Sequence, residues 1–116
     1  MTYEYDETRQ PVAQGDVMLV PIIAIPEDAK LLAAENGQHI ITHSETGHHH
    51  VVLEREDVRH YSGMDIFTGF LSLDRPALLE HLRTVHQHET IALEPGAYVI
   101  KRQRQPAPEG WRRAID

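Results

Sequence analysis

An all-β, mainly antiparallel fold, either a small barrel or a sandwich and with at most one or two short helices, is what this sequence predicts. Three observations carry that expectation. Short runs rich in Val, Ile, Thr and Tyr recur along the chain, and Gly- or Pro-containing turns separate them. Many such strands at short spacing suit a closed or two-layered antiparallel architecture. The length, 116 residues, fits one domain with one core, and 41% hydrophobic against 25% charged residues is ordinary for a globular chain.

Taken in order, residues 1–14 read as a leader or edge strand in which Tyr3 and Tyr5 alternate, residues 15–105 as a single β-rich domain, and residues 106–116 as a tail packed on it. Gly15-Asp16 is a turn, and the apolar run from Val17 to Ile23 is the first strand. Pro21, lacking a ladder donor, places that strand at an edge or at a bulge. Pro26 to Ala34 predicts one or two helical turns, with Pro at the start and Glu27 and Asp28 in the first turn. Asn36-Gly37 ends them. Gln38 to His43 and His48 to Arg55 form a hairpin, and Glu56 to Gly63 is polar and turn-rich. Asp65 to Leu73 is a strand with Gly69 at a bulge or close approach. Ala77 to Thr84 fits a helical stripe or an extended pass equally. His86 to Leu93, and Ala97 to Gln103 after the Glu94-Pro95-Gly96 turn, close the fold as strands, and Trp111 is placed to pin the tail.

Histidine is the compositional outlier. All nine lie between His39 and His88, in the interior of the sequence. Along a strand, side chains alternate faces, so His48 and His50 share one face with Val52 and Glu54 while His49 points away. His86 and His88 form a second same-face pair if extended. Two imidazoles at that spacing suit one divalent transition metal ion, Zn, Fe, Mn or Ni. The candidate metal ligands are therefore His48, His50 and His88, with His86 as the alternative. Glu54 is the candidate fourth ligand or general base. Tyr98, with Arg102 at the same parity on the last strand, is a candidate for orienting a substrate.

Three readings stay open on these residues. The metal activates water or dioxygen on a small-molecule substrate, or it is structural, or no metal is involved and the chain is an assembly or partner-binding module. Charge bears on the choice. Residues 1–97 carry a balance of −10 and residues 98–116 one of +3, within a net −7. The acidic body disfavours a nucleic-acid backbone, which leaves histidine-dependent nucleic-acid processing as a weaker alternative. The basic end suits tail-to-body packing in a homo-oligomer. No run of eighteen apolar residues predicts a membrane span, and the absence of cysteine fits a reducing, cytoplasmic setting.

The His48-x-His50-x-x-x-Glu54 pattern resembles the first half of the cupin metal motif. That resemblance implies a small metal-holding β-barrel, with His88 in the role of the later histidine. Position 42 is Thr where that motif has Gly, and no histidine follows the Pro95-Gly96 turn. The wider layout is similar to small uncharacterised bacterial or phage-encoded β-proteins. They share a Thr-Gly-His-x-His strand, here Thr46 to His50, then a later histidine, here His88. A Gly-x-Tyr strand near the end, here Gly96 to Gln103, completes the likeness.

Overall fold

The computed structural model describes residues 1–42, 49–63, 68–81 and 89–102. These form ten strands, and no helix occurs among the described residues. The strands are β1 (Val12–Gln14), β2 (Val17–Ile22), β3 (Lys30–Leu32), β4 (Gln38–Thr42) and β5 (His50–Leu53), then β6 (Val58–Ser62), β7 (Thr68–Leu73), β8 (Ala77–His81), β9 (Glu89–Leu93) and β10 (Gly96–Arg102). A six-stranded sheet runs β1-β2-β10-β7-β6-β3, a four-stranded sheet runs β4-β5-β8-β9, and the strand pairings in both are antiparallel.

The layers are therefore a sandwich. The barrel expectation, and with it the cupin-like one, is corrected here. Strands β1 and β3 end one sheet, β4 and β9 end the other, and no ladder joins the two among the described residues. A His-x-His strand is a local pattern, and it fits an open sheet as readily as a closed one.

Alternation builds the core. Val17, Leu19, Leu71, Leu73, Tyr98 and Ile100 of the larger sheet meet Ile41, Val52, Leu79 and Leu93 of the smaller one. At roughly 25 cal/mol per Å² of apolar surface removed from water, this interleaved layer is the main source of stability. The other parity of β2, β7 and β10 carries Ile22, Phe70, Val99 and Ala97 onto the outer face of the larger sheet, where Met1, Tyr3 and Ile25 cover them. The leader thus has a partner. Tyr5 bridges Ile22, and the Arg9 guanidinium donates to the carbonyls of Ile22, Pro95 and Ala97. The side of Pro21 away from β10 is flanked by this segment. Asp6 N donates to Pro21 O there, so the missing donor falls outside the β2–β10 ladder.

Two local expectations change. The helical turns expected at 26–34 give way to β3, an edge strand with every residue exposed, paired with β6. Lys, Leu and Ala favour helix intrinsically, but ladder partners on β6 override propensity. The polar stretch 56–63 contains β6 itself, whose Val58 and His60 point inward while Arg59 and Tyr61 alternate outward. Within 77–84, the described part is a strand. Gly69 sits in regular register between Ser62 and Ile100, and a side chain there would stand 3.1 Å from the Tyr61 carbonyl, so it serves close approach rather than a bulge.

Candidate functional site

One end of the sandwich is where β4 ends, β5 begins, β8 ends and β10 ends. There β5 and β8 pair His50 with His81, and their rings stack at 4.0 Å between centroids and 13° between planes. Both point between the sheets, and His50 is only 3% exposed. From the larger sheet, the buried Gln14 at the end of β1 reaches across. Its amide Nε2 donates to Leu79 O at 3.1 Å, which turns its Oε1 toward His50 Nδ1 at 2.7 Å. A carbonyl oxygen accepts only, so Nδ1 carries the imidazole proton and Nε2 keeps its lone pair.

What Nε2 faces is another acceptor. The Asp16 carboxylate Oδ1 lies 3.5 Å away, while its Oδ2 accepts from Arg102 Nε at 3.2 Å. Burial, and then the neighbouring His81, hold His50 down to about 4, outweighing the pull of Asp16. At neutral pH the ring is therefore uncharged.

The turn joining β1 to β2 makes this geometry reachable. Gly15 has φ +59°, the left-handed region that glycine enters freely. A side chain there would put its Cβ 3.4 Å from His50 Cε1 and 3.6 Å from both His50 Nε2 and His81 Cε1. The Asp16 side chain, 46% exposed, opens the corner to solvent.

The residues singled out in the sequence fall in different places. His50 is at this corner. Glu54 follows the far end of β5, exposed, with its backbone N bonded to Gly37 O. Tyr98 is buried in the core, its hydroxyl donating to Glu94 O at 2.6 Å, toward the opposite end of β10 from Arg102. The structure does not bring Glu54 or Tyr98 to His50. His48, His86 and His88 lie outside the described residues, as do the other positions of 43–48 and 82–88. Among the described residues no group of three or more His, Asp or Glu is placed to hold a metal ion. The metal-binding description drawn from the histidine pattern is corrected accordingly. Four of the five described histidines form two pairs, and the carboxylate nearest His50 is already held by an arginine.

Sequence reasoning missed Gln14, Asp16 and His81. Gly15-Asp16 read as a turn, which it is. The pairing that sets His81 beside His50 spans thirty-one positions of sequence, and no local pattern encodes it.

A second histidine pair also lies between the sheets. His39 on β4 and His60 on β6 meet edge to face at 5.8 Å, and both ring nitrogens of His39 are buried with no hydrogen-bond partner among the described residues. Desolvation lowers the His39 pKa, offset in part by Glu54. No described helix is long and apolar enough to cross a membrane.

Residues 13–103 match the family described as "Domain of unknown function (DUF8820)". The chain belongs to that family. Gln14, Asp16, His50, His81 and Arg102 of the corner all fall within the matched DUF8820 span. No curated protein and no solved structure matches the chain.

Proposed function

We propose that this DUF8820 chain is a small-molecule-binding β-sandwich whose ligand docks at the Gly15-Asp16 turn against His50. The supporting observation is the fixed tautomer. Gln14 commits one imidazole nitrogen to the protein, and the other faces the partly exposed Asp16 carboxylate at 3.5 Å. Binding suits this histidine better than proton abstraction. A general base works best when it titrates near the working pH, and His50 does so near 4.

Amide NMR during a screen of small polar compounds tests the reading. Ligand-induced shifts centred on Gly15, Asp16 and His50 are expected. Hits that shift only distant residues, or no hits at all, would count against it.

Self-association is a second reading, favoured by one observation. Leu53 and Leu78, 60% and 55% exposed, stand together on the outer face of the smaller sheet with Arg55 and Glu80 beside them. A two-fold axis through such a patch sets each charge against its opposite on a second copy. Sedimentation of the wild type against Leu53→Glu decides it, with a dimer lost in the variant as the expected result and an unchanged monomer as the refutation.

A further inference from the structure

We propose that the groove between the leader and the segment after β2 binds an organic cation, an ammonium group joined to a small apolar body. The site lies at the other end of β2 from the Gly15-Asp16 turn and does not depend on the docking reading above.

Residues 1–4 form one wall of the groove and residues 23–28 the other, and the space between them is about 610 Å³, a size typical of small-molecule sites. The walls are tied to each other at two places. Ile23 N donates to Glu4 O at 2.9 Å beside the Tyr5–Ile22 bridge, and farther along Asp28 Oδ2 lies 3.2 Å from the Met1 amino group. The frame therefore exists before a ligand arrives, which spares part of the ordering cost of binding.

Lining chemistry selects the ligand. Glu4, Glu27 and Asp28 bring carboxylates, and no Lys, Arg or His is among the lining residues. An anion placed there meets charge of its own sign, whereas a cation meets the opposite one. Asp28 already faces such a group in the Met1 amine. The acidic body of the protein adds to the attraction at longer range. Ile23, Ile25 and the Tyr3 ring line the same groove, and Ile23 is 63% exposed. An apolar ligand body removes that aliphatic surface from water. A hydrated inorganic cation leaves it wet, so the ligand carries carbon as well as charge.

Titration with 2-phenylethylammonium chloride at neutral pH, against sodium 3-phenylpropionate as the same body with the opposite charge, is the test. The readouts are the backbone amide resonances of Tyr3, Glu4, Ile25 and Glu27 and the hydrogen-exchange rates of Asp6 and Ile23. Saturable shifts with the ammonium probe are expected at the first four. Exchange at Asp6 and Ile23 slows as well, because a ligand held by both walls stabilises the docked leader. The double variant Glu4→Gln/Glu27→Gln, at two exposed positions outside the core, weakens affinity roughly threefold to thirtyfold, the yield of two partly exposed ion pairs. Phenylpropionate shifting the same amides as strongly would overturn the cation. Ammonium shifts that persist in full in the double variant, or that come without slower exchange at Asp6 and Ile23, would overturn the groove as the site. No saturable response to the ammonium probe would overturn the proposal outright, and the compound screen at Gly15, Asp16 and His50 would still decide the docking reading separately.

Discussion

The two ends of the sandwich each bury a polar network, and they do it differently. At the end opposite the histidine corner, Asp57 is 7% exposed and receives Arg55 Nε at 2.9 Å and Arg75 Nε at 2.7 Å. Arg55 reaches on to the Pro76 carbonyl, so the clamp ties the β5–β6 connection to the β7–β8 connection. Each carboxylate oxygen has a donor, and the network is closed. At the histidine end one imidazole nitrogen is locked and the other faces a second acceptor. Burial alone therefore does not mark a site. The clamp at Asp57 ties two connections together, while the corner at His50 meets a partly exposed carboxylate at the edge of solvent.

Acid separates the two ends most sharply. An unfolded histidine takes up its proton near 6.5, whereas folded His50 resists until about 4. Its contribution is complete above pH 6.5, declines as pH falls, and is gone below about 4, a loss of up to roughly 3 kcal/mol. His39, lowered by burial, acts in the same direction. Asp57 is lowered by Arg75 first and then Arg55, so its contribution persists through that window and is lost only below the ordinary carboxylate range. Urea midpoints measured from pH 7 to pH 3 are expected to fall in two stages. In His50→Gln the first stage shrinks and the second stays. A single stage near pH 3 in the wild type would remove the distinction between the ends.

Substitution at the open end comes next in size. His50→Leu removes the imidazole that meets the buried Gln14 carbonyl oxygen at 2.7 Å, a cost of about 1 to 3 kcal/mol. A fall in melting temperature of several degrees checks it. Adding Gln14→Leu to that variant should recover part of the loss, because both polar partners are then gone. Gly15→Ala follows, at about 1 to 2 kcal/mol for a side chain held at positive φ. The smallest effect is expected at His39. Replacing it with Leu removes two buried nitrogens without partners among the described residues, so stability should hold or rise by up to about 1 kcal/mol. A large loss there would mean that the inner pair behaves like the corner after all.

Much of the fold was legible because strand alternation is a local signal. The runs around Val17, Ile40, Val51 and Val99 each announce one buried face, and Gly and Pro mark where they stop. β3 was not legible, since Lys30-Leu31-Leu32 reads as helix until β6 offers it ladder partners. β6 was hidden by the charges at Asp57 and Arg59, which belong to a clamp and to an outward ion pair with Asp74. Of the corner, the sequence pointed to His50 through the His-x-His spacing. Gln14 carried no signal at all. A glutamine on a short strand gains meaning only when the opposite sheet supplies a carbonyl on one side and an imidazole on the other.

The way Arg9 fastens the leader bears on the order of assembly. Its three backbone acceptors belong to β2, to the turn before β10 and to β10 itself, segments more than seventy residues apart in the chain. They become neighbours only once those strands have paired. The leader therefore docks on a finished surface, and it can lift away without unzipping that surface. Amide hydrogen exchange at Asp6 and Ile23, whose N–H groups close the leader against β2, should accordingly report a lower opening free energy than the amides of Val99 and Leu71 beneath it.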